Sequence, residues 1–253
     1  MNEEIMRQIC HHIRYKNISR VYFAHTEFTN MQAAISELGE AMKSPKLKYL
    51  DWFGNSIYNT EDMTLFTQAL SQSNAVDKLK FTSNGNENAQ ALLAGVDFST
   101  YKLLHFCGND LQTNGRTDIP DLIAANPALV VLNLGGNMLN DEDAVLIAQS
   151  LGRNTHLRKL NVGVNNIQER GMRALYEAVN DTSTLNALSD SNHSCCLQGL
   201  SDDFDLDTTN LQGGSDAGLC DNRMIKIHEL MMERYCDGDG NVPHLNTEIR
   251  GED

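Results

Sequence analysis

The chain has 253 residues, 41% of them hydrophobic and 21% charged, with a formal net charge of −14 at pH 7. That length supports a substantial apolar core in one or two domains. The charge argues against a general binder of nucleic acid or anionic membrane, because both surfaces repel it, and no apolar run approaches the ~18 residues a bilayer span needs. Cys10, Cys107, Cys195, Cys196, Cys220 and Cys236 form no CxxC pair, and the N-terminus lacks the apolar centre of a secretory leader. The cysteines read as reduced thiols in a protein of the cytoplasm or nucleus.

Residues 1–17 place Ile5 and Ile9 at the helical spacing before Ile18 that Ala144 and Ala148 hold before Leu157. They predict the helical half of a repeat whose strand is missing, either as an N-terminal cap or as the start of a piece of a longer array. The apolar set Ile5, Met6, Ile9 and Ile13 favours the piece, because caps turn a polar face outward.

Residues 18–200 carry an internal period, about seven repeats of roughly 28 residues. The pattern L-x-x-L-x-L-x-x-N-x-L is met by Leu47, Leu50, Trp52, Asn55 and Ile57, then by Val76, Leu79, Phe81 and Asn84. Tyr101, Leu104, Phe106, Asn109 and Leu111 follow, then Leu129, Leu132, Leu134, Asn137 and Leu139, then Leu157, Leu160, Val162, Asn165 and Ile167. Weaker copies flank these: Ile18, Val21 and Phe23 before, Leu185 and Leu188 after. Thr26 and His193 replace their asparagines, and Asp190 takes an inward position of the last copy.

Each feature has a physical reason. Positions four and six alternate along a short strand and point inward, while three, five and seven face out. The asparagines Asn55, Asn84, Asn109, Asn137 and Asn165 fall where the chain leaves the strand, and their amides can pair turn groups that would otherwise be buried unsatisfied. Helical spacing follows in Met63, Phe66 and Leu70, in Ala144, Ile147, Ala148 and Leu151, and in Met172, Leu175, Tyr176 and Val179. Asn140 or Asp141 can cap one helix, Gly152 suits its end, and Pro120 falls in a first turn. The 25-residue repeat beginning at Val76 is expected to lose about a turn of helix.

This register resembles the ribonuclease-inhibitor-like class of leucine-rich repeats, over about residues 3–195. The resemblance implies an α/β horseshoe with a parallel concave sheet and convex helices. It also implies an interaction module, with two alternatives: a GTPase-activating regulator of a Ran-like small GTPase, or the sensor fragment of a larger NOD-like receptor-type protein.

The period fails after Leu200. Residues 201–222 read as a mobile acidic loop, and 200–253 hold thirteen acidic against four basic side chains. Asn222 can cap a helix over about 223–235, with Met224, Ile227 and Met231 on the face that covers the last repeat. Residues 223–253 thus form a C-terminal helix and tail.

The concave face is the candidate site. Its outward positions hold Arg20, Tyr22, Tyr49, Asp51, Phe53, Lys78, Lys80, His105 and Lys159, with Lys48, Lys102 and Arg158 at the edge. Basic residues concentrated on one face of an acidic chain point to a protein partner with an acidic surface, and aromatics are favoured anchors. Two metal readings fail. Asp237–Glu248 has a calcium-loop outline, but Val242 stands where the sharp turn needs glycine and Pro243 where a backbone ligand is needed. The His193, Cys195, Cys196, Cys220, His228, Cys236 and His244 set matches no zinc spacing. No nucleophile elbow, phosphate loop or paired-carboxylate motif appears. The expectation is a non-enzymatic monomer without metal or cofactor that binds neither nucleic acid nor membrane.

Overall fold

The computed structural model describes residues 1–73, 75–200 and 218–236, with the last stretch's side chains described for 223–234. Helices and strands alternate: α1 (Glu3–Tyr15), β1 (Arg20–Ala24), α2 (Met31–Met42), β2 (Tyr49–Phe53), α3 (Thr60–Ser71), β3 (Lys78–Thr82), α4 (Asn86–Gly95) and β4 (Leu103–His105). There follow α5 (Asp118–Ala124), β5 (Val131–Asn133), α6 (Asp141–Leu151), β6 (Lys159–Asn161), α7 (Glu169–Asn180), α8 (Leu185–Asp190) and β7 (Cys196–Gln198). Helix α9 (Gly218–Met231) continues into a π-helical turn, Met232–Cys236. The seven strands form one parallel sheet in chain order, as a solenoid requires.

Register follows the repeat. Val21, Leu50, Leu79, Leu104, Leu132, Leu160 and Leu197 pair in one inward row. Beside it, Phe23, Trp52, Phe81, Phe106, Leu134 and Val162 are buried. Aromatic rings fill the first half of this core: Phe28 stacks on Trp52 at 5.3 Å, Trp52 lies 5.0 Å from Phe66, and Phe81 lies 6.4 Å from Phe106. The helices close the other side with Met63, Phe66 and Leu70 of α3, Ile147 and Leu151 of α6, and Leu175 and Val179 of α7. Asn140 caps α6 in a capping box with Asp143, worth about 1 kcal/mol for such a cap.

The asparagines sit between turns. Asn55, Asn84, Asn109 and Asn137 each donate from Nδ2 to the carbonyl of Phe23, Trp52, Phe81 and Phe106, all at 2.8 Å, and Asn165 donates to Leu134 at 3.0 Å. Their Oδ1 atoms accept from the turn before: Asn55 N–H reaches Asn84, Asn84 N–H reaches Asn109, and Asn109 N–H reaches Asn137. Asn137 also accepts from Leu111 N and donates to Leu134 O. One amide thus satisfies groups in two repeats that are sealed from water.

The structure departs from the sequence expectations at both ends. In α1 the buried residues are Met6, Cys10 and Ile13, while Ile5 is 47% exposed. The linear register from Ile5 and Ile9 fails because only residues 16–19 join α1 to β1, whereas 152–158 join α6 to β6. At the other end, Leu185–Asp190 is helix, not strand, and Asp190 is exposed. A 28-residue step from Lys159 reaches Ala187, but the paired strand residue is Cys196, nine residues later. The inserted residues form α8, whose N-cap Thr184 accepts from Ala187 N. The position equivalent to the ladder asparagine is therefore not His193 but lies beyond residue 200, outside the described residues. Helix α4 is two residues shorter than α2 and α3, and the shortest helix of the array before α8 is α5, one repeat later than expected.

Helix α9 starts at Gly218, so Asn222 lies within it and does not cap it. Its buried residues are Lys226 and Leu230; Ile227 and Met231 pack with Leu230 on Leu185 and Leu188 of α8, while Met224 is 64% exposed. Lys226 Nζ donates to Val179 O at 2.8 Å in the last turn of α7, where a cation meets unpaired carbonyls. Arg234 reaches the carbonyls of Thr182 and Ser183 nearby. The predicted loop residues 201–217 and the Asp237–Glu248 segment lie outside the described residues.

Two predictions follow the packing. Asn137→Ala is expected to cost about 1–3 kcal/mol, because it strips partners from buried turn groups on both sides; an unchanged urea midpoint contradicts this. Burial lowers the Lys226 pKa from 10.5 to about 8. The undocked lysine therefore holds its proton up to about 10.5 while the docked one releases it near 8, so docking strengthens as pH rises through that window. Lys226→Met is expected to abolish the gain in stability that the parent shows between about pH 8 and 10.5; an equal gain in both chains would contradict the linkage.

Candidate functional site

Parallel register gathers the outward side chains into rows across the concave face. Arg20, Tyr49, Lys78, Leu103, Val131, Lys159 and Cys196 form one row. Tyr22, Asp51, Lys80, His105, Asn133, Asn161 and Gln198 form the next. Phe53 lies in a third row between Ala24 and Thr82. All nine residues predicted from sequence sit on this face, although Lys159 stands apart, beyond Leu103 and Val131.

Their environments differ. Tyr22 is 59% exposed, but Tyr49 is only 9% exposed. Tyr49 lies 5.3 Å from the Tyr22 ring, beneath the Arg20 guanidinium at 5.9 Å, and its hydroxyl donates to Asp51 Oδ2 at 3.4 Å. It is a packed support for its neighbours and leaves Tyr22 as the exposed aromatic. Phe53 is half-buried against the His25 ring at 4.6 Å, an edge contact that the repeat pattern does not reveal because His25 belongs to the turn after β1.

Burial pushes the Tyr49 hydroxyl up, with Asp51 and Tyr22 adding to it. Burial also raises the Asp51 carboxyl, opposed by Lys80 and by the bond from Tyr49. His105 is lowered to about 4, first by burial and then by Lys80. Neutral His105 therefore adds no charge at pH 7. Arg20, Lys78, Lys80 and Lys159 are the row cations, and among the described residues none of them forms a salt bridge, whereas Lys102 at the edge is held by Asp77 at 3.1 Å.

The second half of the face is already internally bonded. Asn133 and Asn161 accept from the backbone N–H of Gly135 and Gly163, at 3.0 and 2.9 Å. A Cβ on Gly199 would fall 2.2 Å from Gly163 Cα, so glycine backbone is all that the surface presents there. Among the described residues, no group of three or more His, Cys, Asp or Glu side chains could hold a metal ion, and no helix is long and apolar enough to cross a membrane.

Seven parallel strands alternating with helices, laddered by asparagine, define a leucine-rich-repeat solenoid. The family model described as Leucine Rich repeat matches residues 125–148 and 153–175, in the array's most regular stretch. No curated protein matches the chain. Similar solved structures include the tropomodulin C-terminal domain of Caenorhabditis elegans, 12% identical, covering 68% of this chain and 96% of that one, with a TM-score of 0.43. Leiomodin-1 Actin-Binding Site 2 is 10% identical, covering 91% and 95%, with a TM-score of 0.33. A Bacteroides fragilis protein is 11% identical, covering 67% and 66%, with a TM-score of 0.36.

The His105 environment yields a pH test. Unfolded histidine takes a proton near 6.5 and the folded one near 4, so its contribution to stability is full above 6.5 and lost as pH falls through about 4. His105→Gln is expected to lose less stability than the parent between pH 6.5 and 4. An NMR midpoint for His105 near 6.5 would refute the burial argument.

Proposed function

We propose that this protein is a non-enzymatic interaction module that binds an acidic protein partner through the first half of its concave face. The carrying observation is the set of row cations Arg20, Lys78 and Lys80, without salt bridges among the described residues and flanked by exposed Tyr22 and half-buried Phe53, on a chain of net charge −14. Cations in register attract an acidic surface and raise its association rate, and an aromatic at their edge supplies desolvated contact area. Lys159 extends the positive field toward the far half, and Asp51 beside Lys80 adds an acceptor that orients the partner. The repeat spacing, 28 or 29 residues in all but the 25-residue repeat at Val76, supports assigning the array to the ribonuclease-inhibitor-like class. Six cysteines without a CxxC pair, in a chain long enough to need no disulfide stapling, support a reducing compartment.

Proteins captured from native lysate by the parent chain provide the test, with each captured partner measured against two double variants. Lys78→Glu with Lys80→Glu is expected to slow association at least tenfold at low salt and to remove most of its salt dependence. Arg170→Glu with Arg173→Glu, on the convex helix α7, is expected to leave association unchanged. Equal loss in both, or loss only in the convex variant, would overturn the concave assignment.

A further inference from the structure

A second surface lies at the first edge of the sheet. Ile5, Gln8, Ile9 and His12 of α1 face Ile18 and strand β1 across a groove of about 750 Å³. Among the described residues no strand pairs with the outer edge of β1, and the groove runs beside that edge. One long wall is the outer edge of β1. Ser19 O and His25 N bond to β2, so alternation turns the N–H and C=O groups of Arg20, Tyr22 and Ala24 away from the sheet, toward the groove. Its far end is tied shut, because Thr29 N donates to Met1 O at 3.0 Å and Asn30 Nδ2 donates to Glu3 at 2.9 Å.

We propose that this groove binds one extended peptide of a partner protein as an eighth strand, with apolar residues at alternate positions and acidic residues at the positions between. The alternation follows from the walls. Residues turned inward meet Ile5, Ile9, Val21 and Phe23, and residues turned outward become cross-strand neighbours of Arg20 and Tyr22. The charge follows from Arg20, exposed on the outward face and lining the groove, which no acidic side chain among the described residues lines. The ladder limits the occupant to a single strand. Each ladder asparagine donates to the carbonyl of the strand before it, but Thr26 holds that position in β1's repeat and has no amide to reach across. A turn belonging to a further complete repeat would go unpaired here, whereas an extended segment needs no such support.

The test uses the full chain and a fluorescein-labelled peptide of about eight residues alternating valine with aspartate. Two control peptides carry lysine for aspartate, or N-methyl groups on the amides of one edge. Saturable binding of the aspartate peptide, at least tenfold weaker for both controls, is expected. Tyr22→Pro removes an outward N–H while leaving the bonds to β2 intact, and Ile5→Glu charges an already exposed wall. Each variant is expected to weaken binding at least tenfold with an unchanged melting temperature, and Ile5→Glu keeps the test valid where Tyr22→Pro perturbs folding. Absence of binding, or binding that survives N-methylation and Ile5→Glu, overturns the proposal. So does concentration-dependent self-association abolished by Ile5→Glu, which would make a second copy the occupant.

Discussion

Every repeat of this protein must bring its chain off a buried strand and around a turn without stranding backbone groups, and Asn55, Asn84, Asn109, Asn137 and Asn165 meet that requirement with one side-chain amide each. Because each side-chain amide bonds to both the strand and the turn of the repeat before it, it also fixes the stagger between neighbours. The consequence reaches the surface. With the stagger fixed, residues of the same repeat position line up in straight rows, and side chains far apart in sequence, such as Arg20, Lys78 and Lys159, share one face.

The two halves of the array solve the same problem with different materials. From β1 to β4 the second inward row is aromatic, Phe23, Trp52, Phe81 and Phe106, and from β5 onward it is aliphatic, Leu134 and Val162. The outward rows change at the same place, from charged and aromatic residues to Val131, Asn133, Asn161 and glycine backbone, with Lys159 the exception. In the second half Asn133 and Asn161 are bonded to their own turns, so the concave site and the strand groove proposed above both lie near the first end of the solenoid.

The strands and the ladder were legible because they depend on local spacing: from β1 to β6 inward positions repeat every 25 to 29 residues, and asparagine marks the turn. The insertion before β7 was not, because Leu185 and Leu188 satisfy helical and strand spacing alike over so short a stretch, and only pairing with β6 decides between them. The α1 register failed for a related reason, since a short connection changes which helical face meets the core without altering the apolar composition. Among site residues, sequence placed every outward position on the concave face but could not tell Tyr22 from Tyr49. Their exposures differ because Tyr49 is covered by the Tyr22 ring and the Arg20 guanidinium of the adjacent strand, which no single-strand pattern contains.

The account rests on the concave cations being turned toward a bound protein. A photo-crosslinking residue placed at Lys80 and, separately, at Glu177 on convex helix α7 would report that contact in the native lysate. The account predicts that the Lys80 position captures a discrete acidic partner, that the yield falls as salt is raised, and that the Glu177 position captures nothing above background. Capture of the same partner from Glu177 alone, insensitive to salt, would contradict it.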